Sequence, residues 1–241
     1  MPLILKLKAR AIRYLGILFV LVATAVSLKR TAFIAVSFGL ITYAIIKHFL
    51  NIRAKRNSII SVIIIIAISA IAIYSYDVVS EKYHFDLQQR FQSLLIDGGS
   101  GRDAIYKGVI DLQLKSSVFD WVFGHGQGAV ASKSPDELTA HDDFLEVLYD
   151  YGIIGLLLYV GIYIQLVRQL MRMLSNTSDL AAPFAASIMM FIVISLFSHL
   201  LIYLTYFYLL CLFWGISIAE YEISQKQMAG LYEIGLKQEG L

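Results

Sequence analysis

The sequence predicts an all-α polytopic membrane protein with about six transmembrane helices and one large, partly helical extracytoplasmic loop. Of its 241 residues 58% are hydrophobic, and the mean hydropathy is +0.69. Several apolar runs are long enough to cross a hydrocarbon core of roughly 30 Å. Each run must be helical, because lipid offers the backbone no hydrogen-bond partners. The predicted spans are residues 14–28, 31–50, 58–76, 151–171, 181–198 and 202–219.

The first apolar run has two interpretations. Basic residues precede it and Ala23-Thr24-Ala25 ends it, which also fits a secretory signal peptide with a small-residue cleavage site. Because Lys29-Arg30 follows closely and a second apolar run begins at once, we favour a membrane span.

The basic residues that flank the spans predict the orientation of the chain. If six spans alternate, these residues share one side, which is then the cytoplasmic side and carries both termini. Residues 77–150 then form an extracytoplasmic loop within a single membrane domain of residues 1–241. This loop has 13 acidic and six basic residues, a formal charge of −7, so no basic patch supports a nucleic-acid partner. The single cysteine, Cys211, excludes a disulfide framework within the chain.

Two helices are predicted in the loop, on either side of a glycine-rich turn. Apolar residues recur at helical spacing over 78–96, which indicates an amphipathic helix at the membrane surface. Residues 97–101 include three glycines and break it. A second helix is predicted from Arg102 to about Ser116. Arg102 therefore stands in a first turn, where free backbone N–H groups and a guanidinium can hold an anion, although such a glycine-rich turn is more often a plain loop.

The second half of the loop carries the polar motifs. Glycine recurs at Gly124, Gly126 and Gly128, which predicts a tight backbone or the close approach of a ligand. Residues 134–137, Ser-Pro-Asp-Glu, have the form of a helix start. Beyond His141, three carboxylates fall on one helical face and suggest a solvated helix end, a cation site or a cluster that raises one pKa. They are Asp143, Glu146 and Asp150.

The order of these motifs resembles that of a known family. An Arg opens a helix, a Gly-x-Gly element follows, and Ala-His-x-x-x-Leu-x-x-Leu-x-Asp-x-Gly leads into a span; Lys29-Arg30-Thr31-Ala32 adds a further element between two earlier spans. In this the chain resembles the bacterial O-antigen ligases and O-antigen or exopolysaccharide polymerases over residues 25–220. The resemblance implies a GT-C-like glycosyltransferase fold in the bacterial cytoplasmic (inner) membrane. The residues that carry the match are Arg102, Gly124, Gly126, His141, Leu145, Leu148, Asp150, Gly152 and Gly155.

The resemblance also implies a reaction and roles for particular residues. The substrate would be an oligosaccharide linked to undecaprenyl diphosphate, within membrane lipid and beside other polysaccharide assembly proteins. His141 would accept the proton of the attacking hydroxyl, with Asp142 or Asp143 orienting its ring. Arg30 and Arg102 would bind the diphosphate. His125 is a further candidate for substrate contact, and neither a metal nor another cofactor is needed.

Some features depart from the family pattern and leave other functions open. The chain matches only the C-terminal half of typical members, and Asp142 stands where Asn is common. A non-catalytic component of polysaccharide export and an inactive C-terminal fragment are therefore alternatives. A metal site formed by His125, His141, Asp142 and Asp143 is not favoured, because the helical His-x-x-x-His spacing is absent. His199, in the short outer turn after the fifth predicted span, could also line the cavity, but an interfacial position is favoured.

Overall fold

The computed structural model describes residues 1–7, 9–26, 30–50, 102–133, 139–201 and 204–239. Within these ranges the chain forms helices and no strand, which confirms the all-α class. The helices are α1 (Pro2–Leu5), α2 (Arg10–Val26), α3 (Arg30–Leu50), α4 (Arg102–Leu114), α5 (Val118–Phe123), α6 (Ala129–Lys133), α7 (Asp143–Ser175), α8 (Ala181–Phe197) and α9 (Leu204–Glu239).

The chain is a polytopic membrane protein. Three described helical stretches are long and apolar enough to cross a bilayer: Thr31–Leu50, Asp143–Ser175 and Thr205–Leu231. Ala11–Thr24 and Ala181–Phe197 are shorter apolar helices. Five predicted spans coincide with these stretches, whereas 58–76 lies outside the described residues, so the number of spans stays a prediction. The predicted amphipathic helix 78–96 and helix start at 134–137 also lie outside them.

Helix α8 lies at the centre of the described part of the bundle. It packs against α1, α3, α7 and α9, and most of its residues are buried. Helix α3 approaches it closely at Gly39, where an added Cβ would meet the Met190 side chain. On another side the Trp214 indole N–H of α9 donates to the Ser187 hydroxyl of α8 at 2.9 Å. Small residues and buried hydrogen bonds hold apolar helices together where lipid competes for apolar contact.

The helices bring their ends together at two levels. At one level, here called the site end, the Thr31 hydroxyl at the start of α3 donates to the Phe197 carbonyl at the end of α8. The start of α7 joins them, because Asp143 accepts a hydrogen bond from the Leu200 N–H. At the opposite end, the Tyr221 hydroxyl of α9 donates to a carbonyl in the last turn of α7.

Helices α4, α5 and α6 all pack against α7. Helix α4 begins at Arg102 and ends at Leu114, close to the predicted bounds. Helix α5 was not predicted, although Ser117 and Asp120 form a capping box at its start. Buried residues from three segments of the loop and from α7 form one small core beside the site end: Val109, Ala129, Val130, Ala140 and Tyr149.

Candidate functional site

A glycine-to-glycine contact positions the first part of α7. Gly152 has φ 66° and ψ −167°, which breaks α7 into Asp143–Tyr151 and a longer second part. A Cβ on Gly152 would clash with the Val122 carbonyl, and one on Gly124 would clash with the Asp150 carbonyl. Both glycines have positive φ. The tight backbone predicted at Gly124 is therefore confirmed, and what approaches this glycine is the chain's own α7.

The kink at Gly152 leaves carbonyl groups that the glycine-rich element satisfies. The His125 N–H donates to the Tyr149 carbonyl at 3.1 Å, and the Gly126 N–H donates to the Asp150 carbonyl at 2.9 Å. In an unbroken helix these carbonyls would accept bonds from the residues four positions later. The kink and the glycine-rich element are therefore one structural unit.

The carboxylate of Asp150 holds the following segment. Its two oxygens accept the N–H groups of Gly128 at 2.6 Å and Val130 at 3.1 Å. The side chain is buried, so these are charge-assisted bonds in a poorly solvated place. Asp150 thus fixes the start of α6 against α7.

His125 is held by the protein's own groups. Its ring stacks on Tyr149, with centroids 4.2 Å apart. Its Nδ1 lies 3.2 Å from the Tyr149 carbonyl, and its Nε2 lies 3.2 Å from the Ser116 hydroxyl. These contacts favour a role in holding the glycine-rich element over substrate contact, which stays a prediction.

His141 occupies a strained turn immediately before α7. Its φ of 55° is unusual for a residue with a side chain. Such backbone costs about 1–3 kcal/mol and is found preferentially at functional sites. Buried Ala140 lies on one side of it, and Asp142 caps α7 on the other by accepting the Leu145 N–H at 2.9 Å. His141 therefore stands between a buried residue and the N-cap of α7.

His199 lies beside His141. The two ring centroids are 4.0 Å apart, at an interplanar angle of 38°. The His199 Nδ1 is 3.0 Å from the Thr139 hydroxyl and 3.9 Å from Glu146 Oε2. The sequence favoured a plain interfacial position for His199, and nothing in the local pattern near it indicated a partner 58 residues earlier.

The predicted face of three carboxylates on α7 is buried rather than solvated. Asp143, Glu146 and Asp150 are 1%, 8% and 4% exposed, so the interpretation as a solvated helix end is wrong. Glu146 accepts the Ala140 N–H, but its Oε2 has no hydrogen-bond partner among the described residues. A buried carboxylate oxygen without a hydrogen-bond partner is unusual in native structures.

Asp143 anchors the turn between α8 and α9. Its carboxylate accepts the N–H groups of Leu200 at 3.1 Å and Leu201 at 3.4 Å, together with the Tyr159 hydroxyl at 3.1 Å. This turn also carries His199. Asp143 therefore fixes the second histidine relative to the start of α7, while the orienting role predicted for it toward His141 stays a prediction.

The two predicted arginines open helices that lead to this site. Arg30 is the first residue of α3, and its neighbour Thr31 bonds Phe197, two residues before His199. Arg102 is the first residue of α4, and Ile105, one turn later, packs against the core that contains Ala140. The start of α3 thus lies near the turn of His199, and α4 packs against the core beside Ala140. Among the described residues, no group of three or more His, Cys, Asp or Glu side chains could hold a metal ion.

These features define a class of protein: a helical membrane protein with a buried polar site at one end of its bundle. Residues 15–160 match the family model described as O-antigen ligase. The match covers more than half of the chain, so the protein belongs to the O-antigen ligase family. This family implies a membrane enzyme of glycosyl transfer with a lipid-linked polysaccharide substrate, and it suggests the inner membrane. No curated protein and no solved structure matches the chain.

Proposed function

We propose that the protein transfers a glycan from undecaprenyl diphosphate to a sugar hydroxyl at the outer face of the cytoplasmic membrane. The product would be a lengthened O-antigen or exopolysaccharide chain, and ligation to a different acceptor would use the same chemistry. One observation supports the proposal: the histidine of the family motif, His141, stands on a strained turn immediately before α7, with its ring against His199.

His141 acts as the general base. As the acceptor oxygen forms its bond to the anomeric carbon, the bond from that carbon to the diphosphate oxygen breaks. The diphosphate leaves with the electron pair, and the hydroxyl proton passes to an imidazole nitrogen. Imidazole suits this role, because its reference pKa lies near neutral pH.

Arg30 and Arg102 bind the departing diphosphate. A guanidinium keeps its charge at any physiological pH and can hold two phosphate oxygens at once. Each of these residues also begins a helix, whose first backbone N–H groups favour an anion. This fixed positive charge would stabilise the leaving group without a metal.

The supporting residues position this machinery. Asp142 caps α7 beside His141, Asp143 fixes the turn of His199, and His125 holds the glycine-rich element. We place residues 77–150 outside the cytoplasm as one loop of a single membrane domain with cytoplasmic termini. This orientation follows from the distribution of basic residues.

The test is the surface polysaccharide profile of a strain that lacks this protein, complemented with the wild type or with His141→Asn. Asparagine tolerates positive φ, so this change removes the base with little change in backbone preference. His48→Asn, near the opposite end of α3, is the matched control.

At equal abundance in membranes, we expect the wild type and the control to restore polymer length. His141→Asn should leave unpolymerised or unligated lipid-linked units. Full complementation by His141→Asn would contradict the role of His141 and favour a non-catalytic export component. Failure of the wild type itself would indicate a fragment or the need for another subunit.

A further inference from the structure

We propose that His199 and Glu146 are positioning residues for His141, forming a charge-balancing group behind the base. This inference rests on the proposed function. It begins with the contact between the two imidazole rings, whose centroids lie 4.0 Å apart. At this distance the ring of His199 limits the orientations available to His141, and the two rings share one electrostatic environment.

The position of His199 is itself fixed from two directions. The Thr139 hydroxyl lies 3.0 Å from its Nδ1. Asp143 holds the next two residues of the same turn through their backbone N–H groups. His199 is 9% exposed, so its side chain is part of the buried wall of the site.

Glu146 supplies the negative charge of this group. Its side chain is 8% exposed, its Oε2 has no hydrogen-bond partner within the described ranges, and that oxygen lies 3.9 Å from His199 Nδ1. A buried carboxylate is costly unless a positive charge compensates it. The reaction creates such a charge, because the hydroxyl proton that reaches His141 makes an imidazolium against His199. While His141 holds the proton, the carboxylate of Glu146 stabilises the positive charge on the histidines. This stabilisation is larger in the transition state than in the resting state, so it favours the reaction.

Other ionisable groups lie near Glu146 and His199 and contribute to the same balance of charge. They come from the residue before α7 and from α7 itself, and among the described residues they comprise Asp142, Asp143, Asp150 and Tyr151. Of these, Asp142, Asp143 and Asp150 have carboxylate oxygens that accept backbone N–H groups. Glu146 differs from them in having one oxygen left for the histidines.

The experiment measures glycan transfer in membranes from the deletion strain, which supply the accumulated lipid-linked glycan, with each full-length variant added back. Rates are recorded from about pH 5.5 to about pH 8.5, the range over which imidazole titrates. Glu146→Gln is paired with Glu222→Gln on the exposed side of α9, and His199→Gln with His48→Gln. Thr139→Val and Thr139→Ser test the support of His199 without altering charge. Equal membrane abundance and thermal unfolding in detergent report on folding.

For Glu146→Gln we expect the acid limb of the pH profile to move by about one unit toward lower pH. The carboxylate stabilises the imidazolium, and without it the histidines release their proton at lower pH. For His199→Gln we expect kcat to fall by about tenfold or more with little change in KM, since the base is misoriented. Thr139→Val should lower kcat in the same direction, and Thr139→Ser should restore it.

The outcomes separate this inference from the proposed function. If the wild type is active and His141→Asn is inactive, but Glu146→Gln, His199→Gln and Thr139→Val keep the wild-type rate and pH profile, the positioning group is wrong and the proposed function stands. If the wild type transfers no glycan, the chain alone lacks the proposed activity, as a fragment or a chain that needs another subunit would, and this inference falls with it. If Glu146→Gln does not accumulate in membranes, the kcat values of Thr139→Val and Thr139→Ser decide. A kcat that falls in Thr139→Val and returns to the wild-type value in Thr139→Ser supports the inference. A kcat that is unchanged in Thr139→Val overturns it.

Discussion

Two effects act in opposite directions on the pKa of Asp142, at the start of α7. Burial raises the pKa of its carboxyl above the ordinary range, and the Leu145 N–H that it accepts opposes this rise. Because the pKa is higher in the folded protein than in the unfolded chain, folding favours the protonated form. The stability that this contributes is present below about pH 4 and is lost as the pH rises through the folded value.

We therefore predict that Asp142→Asn makes the stability of the folded protein less dependent on pH. Asparagine caps a helix as well as aspartate does, and it carries no charge to bury. At pH 7 we expect the free energy of unfolding to rise, with a smaller change on acidification than in the wild type. Thermal unfolding in detergent across this pH range measures both quantities.

Asp142→Ala is the control for this prediction. It removes the same charge but also the cap, so it should destabilise the protein by about 1 kcal/mol relative to Asp142→Asn. A loss of stability at pH 7 in Asp142→Asn would show that the charge itself is needed. Asn at this position is what the family resemblance leads one to expect.

At the scale of elements, the kink in α7 links the glycine-rich element to the site. The backbone bonds at residues 125 and 126 use the carbonyls next to the kink, and the Asp150 carboxylate holds the segment that follows. The first part of α7 is therefore fixed before the longer second part enters the bundle. This arrangement depends on two glycines that face each other, Gly124 and Gly152.

We predict that Gly152→Ala destabilises the protein by more than about 2 kcal/mol and abolishes transfer. Alanine is strained at φ 66°, and its Cβ would meet the backbone of residue 122, which has no room to move. Gly161→Ala, in the same helix, is the matched control, because an added Cβ there meets nothing within 4 Å. The control should be neutral or stabilise by up to about 1 kcal/mol. Membrane abundance and thermal unfolding measure the difference, and equal behaviour of the two variants would refute the packing role.

At the scale of the whole molecule, the described helices define two ends but not which one faces outward. The site end gathers the starts of α3 and α7 and the end of α8. The opposite end gathers the end of α7 and Tyr221 of α9. The proposed reaction requires the site end to face away from the cytoplasm, as the basic residues also indicate.

Cysteine labelling in intact cells tests this orientation. In a Cys211→Ser background, Lys115→Cys lies just after α4 on the loop side, and Ser175→Cys lies at the end of α7. Both native side chains are exposed. We expect a membrane-impermeant maleimide to label Lys115→Cys in intact cells and Ser175→Cys only after permeabilisation. The reverse pattern would overturn the orientation and the proposed site of catalysis.

The sequence by itself determined the structural features that depend on residues close together in the chain. Apolar runs predicted five spans that coincide with described helices, the start of α4 at Arg102 followed from its glycine-rich approach, and helical spacing placed three carboxylates on one face of α7. Periodicity reports such features because a helix repeats every 3.6 residues, whatever its surroundings. The order of the motifs along the chain, from Lys29-Arg30 to Gly155, also identified the family.

Only the tertiary structure decided which distant segments meet. Thr31 and Phe197 are 166 residues apart in the chain, and Thr139 and His199 are 60 apart. The sequence shows the glycines at 124 and 152, but it does not show that each one packs against the backbone beside the other. Such contacts follow from how α3, α7 and α8 pack, and packing depends on the shape of whole helix faces rather than on local composition. For this reason the sequence suggested His141 as the base, and only the fold placed His199 against it and Glu146 beside His199.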